Sequence, residues 1–182
     1  MYLTKDDYKV DKLVKTFGCF PIALIPEVMH NGNEGNARAL CHALTSKQMC
    51  FYSKQKDYLL CKPYYHPMFR VSDAIKLLLS IAKDKKKVSF FRPEEPGLAG
   101  IIADGDCYIV YSAYNDYLAA DSIMKAKESA QENTYEGQEN SVQYIFLTET
   151  KAVIKKVKDF EYPYIFAYKG KDGTYTYYRP EE

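Results

Sequence analysis

The chain has 182 residues, a length that fits one domain with its own hydrophobic core. Apolar residues make up 47% and charged residues 27%, which is ordinary for a globular protein and excludes global disorder. The 25 Lys and Arg nearly balance the 24 Asp and Glu, so net charge alone does not indicate a polyanionic partner, although a local patch could still bind one.

The first half of the chain alternates helical spacing with short apolar segments. Thr4, with Asp7 three residues on, resembles a capping box and predicts a helix that stops at Gly18. The apolar segment 20–26 is framed by two prolines, which favours an edge strand or an extended core segment over a helix and leaves its state open. Further predicted elements are a buried helix near residues 37–44, a hairpin of residues 49–53 and 58–65, and a helix over residues 73–86 that Ser72 would cap.

Strands predominate in the second half. Asp104-Gly105-Asp106 is a strong hairpin signal between strands at residues 100–103 and 107–114. A further strand is predicted before this hairpin, at 88–91. After it the pattern predicts a helix over 117–131, a strand at 142–147, a short helix containing Val153, and a final hairpin of residues 162–168 and 174–179.

Helices and strands are mixed without a βαβ rhythm, and hairpins recur. We therefore predict the α+β class, with an antiparallel sheet built from hairpins and about four to five helices packed on it. We expect a single domain over residues 1–182, with a possible division into an N-terminal helical and hairpin part, residues 1–87, and a C-terminal sheet part, residues 88–182.

Export and cofactor signals are missing from the sequence. The first residues turn polar at once, and no apolar run approaches the roughly 20 residues of a membrane span. Five widely spaced cysteines, an odd number, are typical of reduced and mostly buried thiols. We expect a cytoplasmic protein with no membrane association, no cofactor and no metal.

The 18 tyrosines are the most distinctive feature, and they concentrate in the final hairpin. Alternation along a strand places Tyr162, Tyr164 and Tyr168 on one face, while Ile165 and Ala167 lie on the other. Rings on a sheet either pack under a helix or form a binding surface for protein or single-stranded nucleic acid, and the sequence leaves both open. The candidate binding residues are Tyr162, Tyr164, Tyr168, Lys169, Lys171, Tyr175, Tyr177 and Arg179. Basic runs at residues 83–87 and 151–158 could bind phosphates or be ordinary solvated faces.

A Mg²⁺-dependent nuclease is the main enzyme hypothesis. Glu149-Thr150-Lys151 follows a predicted strand and matches the E-x-K arrangement, in which the carboxylate holds the metal and the lysine assists the attacking water. The site would need a second acid, which Asp104 or Asp106 could supply if their hairpin lay beside that strand. E-x-K also occurs by chance in many chains.

Thiol chemistry is a weaker alternative. Cys41 could pair with His30, His42 or His66, but it lies on the apolar stripe of its predicted helix, which favours a core cysteine. A zinc site from Cys41, Cys50, Cys61 and His66 would lack the closely spaced cysteine pairs of structural zinc sites.

As a short cytosolic chain without enzyme motifs, the protein resembles the small anti-CRISPR proteins that phages and mobile elements carry, in particular inhibitors of type II-A Cas9. The resemblance is one of general character, so no residue role is carried over from it. It implies a non-catalytic binding protein that contacts Cas9, its guide RNA or its DNA channel. The alternatives are the nuclease and a structural or self-associating interaction domain, and the oligomeric state stays open.

Overall fold

The computed structural model describes residues 3–30, 32–135, 142–154 and 164–179. Within these ranges the chain forms six α-helices and nine strands in two sheets. The fold class is α+β, as the sequence predicts. Two compact units are distinguished, Met1–Leu79 with Asp84–Lys87, and Ser80–Lys83 with Val88–Glu182. The single domain, with its possible division after residue 87, stays a prediction.

The first unit begins with helix α1, Lys5–Phe17, which starts and stops where the sequence predicts. The Asp7 amide donates to Thr4 Oγ1 at 3.1 Å and the Thr4 amide donates to Asp7 Oδ2 at 2.6 Å, so the capping box satisfies two amides at the helix start. Gly18 ends the helix with a left-handed φ of 77°.

After α1 the chain forms strand β1, Cys19–Pro21, a 3₁₀ turn at Ile22–Leu24 and the short helix α2, Ile25–Val28. The open segment 20–26 is therefore extended only at its start. Helix α3, Glu34–Ser46, is capped by Asn33, whose side chain accepts a bond from the Asn36 amide at 2.8 Å. Strands β2, Phe51–Tyr52, and β3, Tyr58–Leu60, form the predicted hairpin, and β3 also pairs with β1 in a three-stranded antiparallel sheet.

Helix α4, Phe69–Ile81, begins four residues earlier and ends five residues earlier than the predicted helix over residues 73–86. Ser72 is not its cap but lies inside the first turns, where its hydroxyl donates to the Met68 carbonyl at 3.3 Å. The lysines of residues 83–87 therefore lie beyond the helix. Two of them contact the segment around α2: Lys85 forms an ion pair with Glu27 at 2.5 Å, and Lys86 Nζ donates to the His30 carbonyl at 2.7 Å.

The second unit is built on a six-stranded sheet. Its strands are β4, Ser89–Phe91; β5, Gly97–Ala103; β6, Asp106–Ser112; β7, Val142–Thr148; β8, Tyr164–Lys169; and β9, Tyr175–Tyr178. They lie in sequence order from β4 to β9. Helix α5, Asp116–Tyr135, connects β6 to β7, and the short helix α6, Lys151–Ile154, follows β7.

Hairpins join β4 to β5, β5 to β6 and β8 to β9, and these neighbours are antiparallel as expected. The centre of the sheet differs from the expectation, because β6 runs parallel to β7 and β7 runs parallel to β8. Strand β6, helix α5 and strand β7 thus form a βαβ unit, which the hairpin-rich pattern concealed.

The core of the second unit is aromatic. Tyr144 and Phe146 of β7 are 2% and 0% exposed, and they lie beside Tyr164 and Phe166 of β8. The Phe146 ring meets the Tyr164 ring edge-on, with centroids 5.8 Å apart. Small residues of α5 join the same cluster, namely Ala119, Ala126 and Ala130.

Candidate functional site

The carboxyl ends of the parallel strands bring several predicted residues together. Strand β7 ends at Thr148 and the parallel strand β8 ends at Lys169, so the segment after β7 and the turn after β8 lie at the same end of the sheet. In open sheets with parallel strands, ligands usually bind at this carboxyl end of the strands. We define the carboxyl-end cluster as Glu149, Lys151, Tyr168, Lys169, Lys171, Tyr175 and Tyr178.

The segment after β7 is fixed by a buried threonine. Thr148 is fully buried, and its hydroxyl accepts a bond from the Thr150 amide at 3.0 Å and donates to the Thr150 carbonyl at 3.2 Å. This side-chain turn sets the position of the exposed Glu149 and starts α6 at Lys151.

Lys151 lies over two tyrosine rings. Its Nζ is 5.3 Å from the centroid of the Tyr168 ring and 5.8 Å from that of the Tyr178 ring. Both distances are within the range of cation–π attraction. Glu149 pairs instead with Lys169, at 3.8 Å. The lysine of the E-x-K motif is therefore held by aromatic rings, while the carboxylate faces a second lysine.

The turn that joins β8 to β9 carries Lys171 at its exposed tip. The Gly173 amide donates to the Gly170 carbonyl at 3.0 Å, and Gly173 has a φ of 80°, as expected for a three-residue hairpin loop with a left-handed third residue. Asp172 accepts bonds from the Thr174 amide and hydroxyl at 3.1 and 2.8 Å, and these bonds lower the pKa of its carboxyl group. The Asp172 carboxylate therefore stabilises the turn through its bonds to Thr174.

The register of the hairpin divides its tyrosines between two faces. Phe166 pairs with Tyr178 and Tyr168 with Thr176, so Tyr164, Tyr168 and Tyr178 share one face. Ala167 pairs with Tyr177 and Lys169 with Tyr175, which places Tyr175 and Tyr177 on the opposite face. The aromatic residues thus do not form one continuous ladder.

Tyr164 requires a correction. It is 8% exposed and belongs to the aromatic core, so its ring does not contribute to a binding surface. Tyr168 is half-buried below Lys151, and Tyr177 is 45% exposed, with its hydroxyl 3.1 Å from Ser80 Oγ. Arg179 is exposed but lies four positions from Tyr175, about 13 Å along the strand. Tyr162 lies outside the described residues.

The structure separates the nuclease candidates. Asp104 lies in the turn before β6 and Asp106 is the first residue of β6, whereas Glu149 follows the end of β7. In the parallel register Cys107, the neighbour of Asp106, pairs with Val142, which is seven residues and about 23 Å along the strand from Glu149. A shared Mg²⁺ requires ligands that all lie within a few ångströms of the ion. This register places neither aspartate close enough to share a metal ion with Glu149, so the second acid that the nuclease hypothesis requires does not come from this pair.

The thiols of Cys41 and Cys50 are buried rather than activated. Burial raises the pKa of the Cys41 thiol to about 11 and that of the Cys50 thiol to about 12. A nucleophilic cysteine needs the opposite shift. In the described ranges, no group of three or more His, Cys, Asp or Glu side chains is arranged to hold a metal ion.

Sequence reasoning missed Tyr178. Alternation in the sequence favours its neighbour Tyr177, which shares a face with Tyr175, but Tyr178 is the ring that lies with Tyr168 under Lys151. The signal that could have found it is the loop length, because a three-residue loop of Lys171, Asp172 and Gly173 fixes the pairing of Phe166 with Tyr178.

No described helix combines the length and apolarity needed to cross a membrane. In the comparisons with known proteins, no family model, no curated protein and no solved structure matches the chain.

Proposed function

We propose that the chain is a non-catalytic binding protein that takes up a nucleic-acid-containing partner at the carboxyl-end cluster. The observation that carries this proposal is the position of Lys151 over the rings of Tyr168 and Tyr178, with Lys169 and Lys171 at the same end of the sheet. Cations beside aromatic rings are what a single-stranded nucleic acid requires of a protein surface.

The chemistry of such a surface divides between phosphates and bases. The ammonium groups of Lys151 and Lys171 attract phosphates and release counterions, which gives affinity without sequence preference. The half-buried rings of Tyr168 and Tyr178, on the same face as Lys151, offer aromatic area on which an unpaired base stacks. Glu149 balances Lys169, so Lys151 and Lys171 supply most of the attraction.

The partner class we favour is a ribonucleoprotein of the Cas9 type, acting in the cytoplasm, in line with the general resemblance to anti-CRISPR proteins. Binding to its guide RNA or its DNA channel would exclude target DNA by occupancy. The carboxyl-end cluster has the mixed basic and aromatic character that such contacts need.

The proposal is tested by fluorescence anisotropy with labelled single-stranded RNA and DNA of mixed sequence. We expect the double variant Lys151→Gln with Lys171→Gln to weaken binding at least tenfold, since each lysine supplies one phosphate contact. Lys127→Gln is the matched control, because Lys127 is an exposed lysine on α5, outside the cluster, and it should change affinity less than twofold. Equal losses in both variants would contradict a local site.

The ribonucleoprotein is tested separately with reconstituted Cas9 and guide RNA. Co-elution in size-exclusion chromatography and inhibition of DNA cleavage are expected with the parent chain and not with the double variant. If the chain binds free single strands but leaves Cas9 unaffected, the general binding function holds and the Cas9 partner is rejected.

A further inference from the structure

Strand β9 is the edge of the six-stranded sheet. Among the described residues it pairs only with β8. The Gly170 amide donates to the Thr174 carbonyl at 2.8 Å, which fixes the phase of the antiparallel ladder. Positions 168 and 166 then exchange bonds with positions 176 and 178, and the backbone groups of Tyr177 turn away from β8.

The sequence of β9 does little to protect this edge. Its residues, Tyr-Thr-Tyr-Tyr, include no charge and no proline, and its register with β8 runs without a bulge. Natural proteins usually block an edge strand with one of these features. The opposite edge, β4, has three residues against four in β9, and in the sequence a proline follows each strand after one intervening residue, Pro93 and Pro180. Because β9 is the longer of the two edges, it is the one we take to accept another strand.

We infer that β9 pairs antiparallel with β9 of a second copy of this chain, about a two-fold axis that passes beside Tyr177. This inference goes beyond the proposed binding function and does not depend on it. In such an isologous pair each residue i that faces j is matched by j facing i.

The residues of β9 are complementary to themselves in this register. Tyr177 faces Tyr177 of the second copy through a hydrogen-bonded pair, because its amide and carbonyl both point outward. Thr176 then faces Tyr178, and Tyr175 faces Arg179, a ring opposite a guanidinium. No two like charges meet. This self-register, with a cation opposite a ring and no like charges in contact, is why a second copy is the occupant we assign.

The interface is small. Five residues of edge pairing stay below the roughly 1,200 Å² buried in standard stable complexes. We therefore expect reversible association with a dissociation constant of about 10–500 µM. The joined sheets would have twelve strands, twice the six described for one chain.

Two substitutions at one position separate backbone pairing from ring contact. Tyr177→Pro removes the outward amide at no cost to the β8–β9 ladder, whereas Tyr177→Thr removes the ring but keeps the amide and a good strand former. Sedimentation velocity over 10–500 µM should show association of the parent and of Tyr177→Thr, and monomers only for Tyr177→Pro. Far-UV circular dichroism confirms that both variants are folded.

Each other outcome overturns the inference. A parent chain that stays monomeric up to 500 µM has no such pairing, and association that survives in Tyr177→Pro uses another surface. Loss in both variants assigns the contact to the ring and not to the strand edge.

A crosslink tests the axis itself. In a hydrogen-bonded pair the two Cα atoms at position 177 are about 5.5 Å apart, within the range that a disulfide spans. Mild oxidation of Tyr177→Cys should therefore yield covalent dimers at least tenfold faster than oxidation of the parent, whose five cysteines provide the background. Lys127→Cys is the control for an exposed thiol elsewhere in the second unit, and an equal rate there would contradict the assigned register.

Discussion

Gly18 shows how one residue can satisfy two separate requirements. Its φ of 77° is a left-handed conformation, and the ring of Tyr65 occupies the space that a Cβ would take. A residue with a Cβ is sterically strained in this conformation, and its Cβ would also overlap the Tyr65 ring. The stop of α1 and the packing of Tyr65 therefore depend on the same missing atom.

We predict that Gly18→Ala lowers the free energy of unfolding by about 2–4 kcal/mol, from backbone strain together with overpacking. Gly105→Ala is the control: its φ is 93°, but no described atom lies within 4 Å of the Cβ position, so only the backbone cost of about 1–2 kcal/mol applies. Urea denaturation measures both. In a Tyr65→Ala background the penalty at Gly18 should shrink, and an unchanged penalty would rule out the overlap.

Buried thiols make the stability of the first unit sensitive to high pH. Cys41 and Cys50 are 1% and 0% exposed, and burial raises the pKa of their thiols to about 11 and about 12, from 9.0. An unfolded thiol ionises near pH 9 while the folded thiol stays neutral. The stabilisation is thus complete below pH 9 and is lost as the pH rises towards the folded pKa values.

We predict that the free energy of unfolding falls between pH 9 and 11 by about 1.4 kcal/mol per pH unit for each of the two thiols. Urea titrations with a phosphine reductant across this range measure the slope. Cys41→Ala should be less stable throughout, because it leaves a cavity, but its slope should be shallower by about 1.4 kcal/mol per pH unit, since the raised pKa values of the Cys50 and Cys107 thiols remain. An identical slope in the variant would assign the alkaline loss to other groups.

At the scale of elements, the β8–β9 hairpin contains rings of the same residue type in two different environments. Tyr164 lies in the aromatic core at 8% exposure, whereas Tyr177 is 45% exposed on the other face. Alternation along the strand shows which rings share a face. It does not show which face is buried, because that depends on elements distant in sequence.

We predict that Tyr164→Ala costs about 3–5 kcal/mol, as large aromatic truncations in cores do. Tyr177→Ala should cost less than about 1 kcal/mol, since most of what it loses is an exposed hydrogen bond to Ser80. The free energy of unfolding in urea measures the first difference, and the near-UV circular dichroism should change for Tyr164→Ala alone. Similar costs at both positions would contradict the two environments.

The sequence predicts most elements because their signals are local. Thr4, Asp7 and Gly18 determine α1 by short-range bonds and backbone preference, and Asp104-Gly105-Asp106 marks the β5–β6 hairpin. The sequence does not determine the start of α4, because a serine can either cap a helix or donate back to a carbonyl four residues earlier. Ser72 does the second, donating to the Met68 carbonyl.

At the scale of the whole molecule, the order and direction of the strands could not be predicted from local pattern. The long helical segment between β6 and β7 permits a parallel crossover, but the recurring hairpins favour an antiparallel sheet. This one difference determines the site. Parallel pairing brings Lys151 and the hairpin turn to one end of the strands and places Asp106 at the opposite end.

Net charge is the other property of the whole molecule that bears on the site. The chain carries a formal charge of +1 with a pI near 7.6, so its overall field does not attract a polyanion. Any attraction has to come from the local arrangement of Lys151, Lys169 and Lys171. Position on the surface, and not the sum of charges, should then decide binding.

We therefore predict that two charge reversals with the same effect on net charge, from +1 to −1, differ in their effect on binding. Lys171→Glu, at the hairpin tip, should weaken the binding of labelled single-stranded RNA about tenfold and reduce the slope of log K against log salt by about 0.7. Lys127→Glu, an exposed reversal on α5, should leave affinity within twofold and the slope unchanged. Anisotropy titrations from 50 to 200 mM salt measure both quantities. Equal effects of the two reversals would mean that the overall charge, and not the carboxyl-end cluster, controls the interaction.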